Sequence, residues 1–337
     1  MPRPTIADIA REAGVSKGAV SFALNGQPGV SSETRARIVA IADRMHWRPH
    51  SAARALGRSN TQLAGLVTAR PRRTLGVEPS FSQIFSGVQS RLSLEGIGLQ
   101  LTIVEDLDSE IATYRDWAAE HRVDGVVLMD LTIADPRLDE LQRLGLPAVA
   151  LGGRSAGHSI NAVTLDESAA MTSIIEYLAA IGHRRFHHIS GPRQLHSTED
   201  RVSALAAAGA ALNLQTQVTA TDGTGTDATR ATRAALSSHD RPTALIFDND
   251  IMAFAGLAVA VEMGAAVPGD VSIVSFEDSA LAKLMHPGIT ALSRDSFALG
   301  EILADNLIKS IKHPEIHTQI AAPLPHLIVR ESTAAIR

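Results

Sequence analysis

The chain has 337 residues, 45% of them hydrophobic, and a formal net charge of −5, so it is long enough for two or three domains with buried cores. It has no cysteine, which excludes disulfide bonds and thiolate metal sites and is typical of the reducing cytoplasm. The basic start Met1-Pro2-Arg3 is followed by no apolar stretch, and no run of about 18 apolar residues occurs, so we expect neither a secretory signal nor a membrane-spanning helix.

The charge is divided unevenly along the chain. Residues 1–60 contain nine Lys or Arg and four Asp or Glu, whereas the rest of the chain is acidic. A small basic head on an acidic body indicates that the head alone binds a polyanion. Chance clustering of charge is the alternative interpretation.

The first 50 residues predict three short helices. Thr5, with an acid three residues later, predicts a helix start, and Gly14 predicts its end. Ser16 and Ser31 are suited to cap a second and a third helix, and Pro49 ends the helical run. Two short helices joined by a glycine-containing turn form a helix-turn-helix, whose second helix enters the major groove of DNA. A three-helix mini-domain without DNA binding is the alternative.

The start of the second helix carries side chains that suit DNA contacts. Lys17 can donate to guanine or to a phosphate, and Phe22 can pack on a thymine methyl. The hydroxyls of Thr5, Ser16 and Ser21 can hold phosphates. After these helices, the alanine-rich residues 50–58 predict about two turns of helix, which are too short to be stable alone in water.

From residue 63 onward, short apolar runs alternate with helical stretches. This pattern predicts an α/β fold with parallel sheets covered by helices on both faces, and its length indicates two lobes. The predicted strands are 63–67, 99–104, 125–128, 148–151, 186–189, 244–247 and 271–275; the predicted helices are 85–94, 167–181, 201–212, 228–236 and 250–263.

The N-terminal motif closely resembles the LacI/GalR family of bacterial repressors. The resemblance lies in Thr5-Ile6-Ala7-Asp8-Ile9-Ala10-Arg11-Glu12-Ala13-Gly14-Val15-Ser16, then Ala19-Val20-Ser21, Leu24-Asn25, Val30-Ser31 and Thr34-Arg35. It implies that positions 17, 18 and 22 select bases. Many members have Thr at position 19 and Arg at position 22, whereas this chain has Ala19 and Phe22, and Gly18 has no side chain. Lys17 therefore carries more of the polar readout.

The same resemblance covers the segment after the head. Family members fold the stretch matching 52–56 into a hinge helix only on DNA, where the residue matching Leu56 wedges into the central base step from the minor groove. Arg54 and Arg58 can meet phosphates; a plain tether is the alternative. The expected DNA contacts are Thr5, Ser16, Lys17, Gly18, Ser21, Phe22, Asn25, Ser31, Thr34, His50, Ala53, Arg54 and Leu56.

The body resembles the family's effector domain, which is similar to periplasmic sugar-binding proteins and closes two lobes over a ligand. Arg201, Asn249 and Glu277 match the family's polar ligand contacts, although most members have Asp where this chain has Glu277. An acidic position of some members is Gly152 here.

In the first lobe, Phe81, Gln83 and also Phe85 are candidate ligand contacts. Helix capping is the alternative for Asn249, and core packing is the alternative for Phe81 and Phe85.

The resemblance implies four segments. They are the head (1–49), the hinge and linker (50–61), one lobe (62–161 with 292–320) and a second lobe (162–291 with 321–337). A dimer on a pseudo-palindromic operator is expected, with the apolar helix 251–263 either deeply buried or at the subunit contact. Sugar is the default effector that the resemblance implies, with nucleobases and other small polar molecules as alternatives, and the effector can act either as an inducer or as a co-repressor.

Three weaker patterns do not alter this interpretation. Residues 153–157 match G-x-S-x-G but lack the helix that a hydrolase elbow needs, and residues 223–228 imitate a dinucleotide fingerprint late in the chain. Three histidines at 183, 187 and 188 have no carboxylate at ligand spacing. We therefore expect no enzyme, no cofactor and no metal. The alternative classes are a sugar-binding transport protein, against which the missing signal peptide and the attached helix-turn-helix argue, and an α/β hydrolase, against which the lack of a coherent nucleophile–base set argues.

Overall fold

The computed structural model describes residues 4–47, 60–69, 79–153 and 160–336. The chain divides into two compact units, a head up to Thr61 and a body from Gln62. The predicted hinge helix, with His50, Ala53, Arg54 and Leu56, lies outside the described residues.

The described part of the head contains three helices, which begin where local signals predict; the third ends at Arg44, five residues before Pro49, where the helical run was expected to end. They are α1 (Ile6–Ala13), α2 (Lys17–Leu24) and α3 (Ser32–Arg44). Ser16 and Ser31 each accept a hydrogen bond from a backbone N–H of the helix that follows. Gly14 ends α1 with φ of 66°, a left-handed conformation that glycine adopts without strain. Ile9, Val20 and Ile38, one from each helix, are fully buried in a common core.

Among its described residues, the body has two six-stranded sheets with helices on both faces. The strands are β1 (Leu63–Ala69), β2 (Gly98–Val104), β3 (Gly125–Leu128), β4 (Ala148–Leu151), β5 (Asn161–Thr164), β6 (Arg185–Ser190), β7 (Gln215–Ala220), β8 (Ala244–Phe247), β9 (Ser272–Ser275), β10 (Thr290–Ser293), β11 (Gln319–Ala321) and β12 (His326–Ile328). The helices are α4 (Pro79–Leu94), α5 (Leu107–Ala119), α6 (Pro136–Leu144), α7 (Glu167–Ala180), α8 (His196–Leu212), α9 (Gly225–Leu236), α10 (Asp250–Glu262), α11 (Ala280–Leu284) and α12 (Ser296–Lys312).

Each sheet belongs to one lobe. The first has the order β11-β5-β4-β3-β1-β2 and the second β12-β10-β9-β8-β6-β7, and the pairing is parallel except between β10 and β12. The central strands β3, β4, β8 and β9 are buried along their whole length, as expected for strands covered on both faces. The predicted α/β fold is therefore confirmed.

The chain crosses between the lobes three times. It leaves the first sheet after Thr164 and enters α7, leaves the second sheet after Ser293 and enters α12, and passes from β11 to β12. The first two crossings come slightly later than the expected boundaries at 161/162 and 291/292. The reason is that β5 pairs with β11 up to Thr164 and β10 pairs with β12 up to Ser293 before the chain crosses.

Close packing of two helices fixes the first lobe. Helix α12 crosses α4 at two glycines, where a Cβ added at Gly87 would lie 2.0 Å from the carbonyl oxygen of Phe297 and one added at Gly300 would lie 2.2 Å from that of Ile84. Because α12 begins at the second crossing, this contact holds the crossing segment against the first lobe.

Helix α10, for which burial or a subunit contact was expected, is mostly buried inside the second lobe. Within the described residues, no helix is both long and apolar enough to cross a membrane.

Candidate DNA-binding head and ligand cleft

The surface of α2 carries few polar groups that could read DNA. Lys17 and Gly18 are exposed in its first turn, and Phe22 is 45% exposed beside Gly29, where an added Cβ would lie 3.5 Å from its ring. A large apolar side chain exposed on a basic helical unit suits contact with thymine methyl groups. Ser21 is half-buried, and Asn25 donates to its hydroxyl at 3.4 Å.

The three hydroxyls at helix starts have structural partners. Ser16 Oγ accepts from the backbone of Ala19 at 3.1 Å, and Ser31 Oγ donates to Thr34 Oγ1 at 2.9 Å. Thr5 donates to the carboxylate of Asp8, which lowers the pKa of that carboxyl group. Helix N-termini also attract phosphates, so capping and phosphate contact are compatible at these exposed positions.

A cavity of about 440 Å³ lies between the two lobes, within the usual range of small-molecule pockets. It lies where strands of both sheets end, with Met129 and Leu151 on one side and Gly191, Asp248 and Phe276 on the other. Open α/β sheets generally bind ligands at this edge.

The lobes also touch directly at the cavity wall. The backbone N–H of Ile133 donates to Gln194 O at 2.9 Å, and that of His196 donates to Leu131 O at 2.9 Å. The two segments form a short antiparallel bridge, so the cleft is closed on this side.

The five residues expected to bind an effector all line this cavity: Phe81, Gln83, Arg201, Asn249 and Glu277. Phe81 also packs into the core of the first lobe, and Phe85 packs against that core without reaching the cavity wall. For Phe85, core packing is therefore the role that the structure shows.

Asn249 has the capping role that the sequence left open. Its Oδ1 accepts from the backbone of Met252 at 2.8 Å, and its Nδ2 donates to Gly223 O at 3.1 Å. An amide has two N–H donors and two acceptor lone pairs, so these two bonds leave Asn249 one further donor and one further lone pair.

Arg201 is held by carboxylates that the sequence did not single out as site residues. Its Nε donates to Glu167 at 2.7 Å, and its Nη1 lies 3.1 Å from Asp248 Oδ1. The guanidinium stacks 4.1 Å from the ring centroid of Phe276. Arg294 donates to the other oxygen of Glu167 at 3.1 Å.

The carboxylate of Asp248 is contacted by four hydrogen-bond donors. His188 Nε2 and Arg201 Nη1 approach one carboxylate oxygen, and the backbone of Gly191 (2.7 Å) and the hydroxyl of Thr198 (3.3 Å) approach the other. Burial alone would raise the pKa of this carboxyl group, but Arg201 and His188 outweigh it, and the pKa lies below the usual range.

Burial would likewise raise the pKa of the Glu167 carboxyl group, but Arg201 and Arg294 outweigh burial, and the pKa is lowered. Both acids are therefore charged at neutral pH.

Sequence reasoning missed Glu167, His188, Asp248 and Arg294 as a site because they lie far apart along the chain. The motif Phe247-Asp248-Asn249-Asp250 was a signal, since it places acids at the end of a strand. The three histidines have core roles: His188 pairs with Asp248, His183 contacts Thr243, and His187 contacts Thr219. Of the G-x-S-x-G match, residues 154–157 lie outside the described residues, and 223–228 form a loop and the start of α9.

Comparison with known proteins agrees with this two-part organisation. Residues 5–50 match the bacterial regulatory proteins of the lacI family, and residues 175–333 match a periplasmic binding protein-like domain. The HTH-type transcriptional regulator CelR of Thermobifida fusca is 30% identical, with 98% of each chain covered. The chain belongs to the LacI family.

Other members and their structures extend the likeness of this LacI-family regulator. The repressor PurR of Erwinia tasmaniensis is 28% identical over 98% of this chain and 97% of its own. The structure of a CelR–cellobiose complex is 28% identical with a TM-score of 0.74, covering 98% of this chain and 100% of that one.

The lac repressor dimer bound to operator and the anti-inducer ONPF shares the fold. Its TM-score is 0.85 at 23% identity, with 99% of this chain and 100% of that chain covered.

Proposed function

We propose that this LacI-family regulator is a repressor that binds a pseudo-palindromic operator as a homodimer and responds to a sugar in the interlobe cleft. The observation that carries the proposal is the cleft itself, where Arg201, Asn249 and Glu277 from one lobe face Phe81 and Gln83 from the other. A ligand that contacts both sides stabilises one orientation of the lobes.

The chemistry of the cleft favours an uncharged, hydroxyl-rich ligand. Its described lining contains two arginines, and Arg201 and Arg294 both pair with Glu167. Five further carboxylates line the cavity: Asp130, Asp222, Asp250, Glu277 and Asp278. Carboxylates and amides accept hydrogen bonds from sugar hydroxyls. The CelR–cellobiose complex is a precedent in a relative.

The DNA-binding part of the proposal places α2 in the major groove. Lys17, Gly18 and Phe22 face base edges, and the caps at Thr5, Ser16 and Ser31, with Ser21, Asn25 and Thr34, lie at the phosphates. The hinge residues His50, Ala53, Arg54 and Leu56 complete the site in the minor groove. The proposed domain organisation is a head at 1–49, a hinge and linker at 50–61 and a two-lobed body. Because the regulator binds an operator, it acts at the nucleoid in the cytoplasm.

The decisive experiment has two arms. In the first, selection from random duplexes should yield a palindrome that binds at least about 1,000-fold more tightly than random DNA, with one dimer per site. A chain that binds all duplexes alike, or remains monomeric on them, refutes the DNA-binding part.

In the second arm, calorimetry with a panel of mono- and disaccharides, including cellobiose, and nucleobases identifies the ligand class. A saccharide should bind, weaken or strengthen operator binding, and lose both effects in Arg201→Ala. The matched control is Arg233→Ala, which removes an exposed arginine paired with Glu262 and should leave binding unchanged. Binding by a nucleobase but by no saccharide would overturn the sugar assignment.

A further inference from the structure

The carboxylate of Glu167 links the ligand cleft to two of the chain crossings between the lobes. Glu167 begins α7 directly after the first crossing, and Arg294 lies on the second crossing between β10 and α12. Helix α7 packs into the second lobe and α12 into the first. A contact between these two residues therefore ties together segments on which the relative orientation of the lobes depends.

The contact is continuous with the cleft. Glu167 Oε2 accepts from Arg201 Nε at 2.7 Å, and its Oε1 accepts from Arg294 Nη2 at 3.1 Å. Each carboxylate oxygen thus serves one arginine. Their side chains are 2% (Glu167), 14% (Arg201) and 22% (Arg294) exposed, so solvent screens the pairs far less than it screens surface ion pairs.

The geometry makes the two arginines sensitive to one another. Arg294 Nε is buried without an acceptor among the described residues, and the guanidinium donates through Nη2 to Glu167. Arg201 is divided between Glu167 and Asp248. A ligand that binds the Arg201 guanidinium changes how Arg201 shares its hydrogen bonds between Glu167 and Asp248, and the Glu167 carboxylate, which also binds Arg294, passes this change to the crossing segment.

We propose that Glu167 is a positioning residue that couples Arg201 in the cleft to Arg294 on the interlobe crossing, so that changes at Arg201 alter the relative orientation of the lobes. The role of Arg201 as a ligand contact rests on the proposed function. The link from Arg201 through Glu167 to Arg294 rests on contacts in the body alone, and it can be tested without a ligand.

The experiment measures interlobe distances in the full-length chain. Because the sequence has no cysteine, spin labels can be placed at Ala112→Cys on α5 and Ala207→Cys on α8, two exposed positions on different lobes. Labelled chains are diluted into excess unlabelled chain, so that pulsed electron resonance records distances within one chain.

Glu167→Gln and Arg294→Gln should each shift or broaden the distance distribution, by about 2 Å or more in the mean. The control Glu262→Gln removes the same charge from an exposed pair with Arg233 and should leave the distribution unchanged. An unchanged distribution in both cleft variants, or an equal change in the control, overturns the proposal.

Coupling is tested by a double-mutant cycle. Arg201→Met and Arg294→Gln should have non-additive effects on the distance distribution in the parent chain and additive effects when Glu167→Gln is present. Additive effects in both backgrounds overturn the role of Glu167.

If Glu167→Gln does not fold, Arg294→Lys serves in its place. It keeps the charge but lacks the planar fork, and it should reproduce part of the shift; no shift overturns the proposal. Failure of every saccharide to bind would count against the proposed function and would leave these ligand-free results intact.

Discussion

We expect Asp248→Asn to destabilise the second lobe strongly. The carboxylate is buried below the cleft and accepts from His188, Arg201, Gly191 and Thr198. Asparagine keeps the shape of the side chain but replaces one oxygen by an amino group. Whichever way the amide is turned, its amino group then faces donors.

The structure sets the size of the effect. Breaking a buried ion pair costs about 3–5 kcal/mol when one charge is left uncompensated, and leaving a buried donor unpaired costs about 1–3 kcal/mol. Arg201 keeps its second partner Glu167, so the ion-pair part should lie at or below the lower limit. We expect the free energy of unfolding to fall by about 3–4 kcal/mol.

The assay is urea unfolding followed by circular dichroism, with Glu262→Gln as the control. Glu262 pairs with Arg233 on the surface, and exposed pairs contribute little to stability. The control should unfold at the same urea concentration as the parent chain, and Asp248→Asn at a clearly lower one. Equal midpoints for the two variants would refute the view that the Asp248 contacts stabilise the fold.

The pH dependence of this difference is a second check. Because the pKa of Asp248 is lowered in the folded state from the ordinary value of 3.8, its charge stabilises the fold above that value, and the contribution is lost as the pH falls toward the folded pKa. The stability gap between the parent chain and Asp248→Asn should therefore be constant from about pH 7 to pH 5 and narrow below about pH 4. A gap that widens on acidification would contradict the ion-pair explanation.

Three further substitutions test other parts of the molecule. Lys17→Ala should reduce the difference in binding free energy between operator and random DNA by about 1–3 kcal/mol, as measured by fluorescence anisotropy. An unchanged difference would show that Lys17 does not read bases. His196→Pro deletes the N–H that donates to Leu131 across the lobes at a helix position that tolerates proline. The loss of this hydrogen bond should shift the equilibrium toward longer interlobe distances by about 1 kcal/mol. The control Ser32→Pro, at the start of α3 in the head, should leave the interlobe distances unchanged. Distances in His196→Pro equal to those of the parent chain would show that the bridge does not hold the lobes together. Gly300→Ala places a methyl 2.2 Å from a backbone oxygen and should lower stability by at least about 1–3 kcal/mol; a calorimetric Tm equal to that of the parent would contradict the close helix contact.

Much of the fold could be predicted because its signals are local. Ser16 and Ser31 cap helices through their own side chains, and Gly14 ends a helix through its own backbone freedom. Strands β3, β4 and β8 were predicted with the boundaries that the structure shows, because strands buried on both faces are continuous apolar runs. Helices α4 and α8 begin earlier than predicted, at Pro79 and His196, since their first turns are mixed in polarity and lie at the cleft.

Elements with weak local signals were missed. Strands β11 and β12 have three residues each, and β7 has no fully buried residue, so none shows an apolar run. Helix α12 was not predicted as a helix, although the resemblance placed residues 292–320 in the first lobe, and its close contact with α4 depends on Gly300. Such strands and helix positions are fixed by the neighbours they pair with.

The sequence by itself determined the basic helix-turn-helix head, the α/β class of the body and the candidate contacts Arg201, Asn249 and Glu277. These follow from patterns within a few residues and from resemblance to a family. Only the tertiary structure brought Glu167 against Arg294, which is 127 positions away, and assembled four donors around Asp248. Which of these distant side chains meet is decided by how the strands and crossings pack, because packing buries charged residues that are far apart in sequence next to one another.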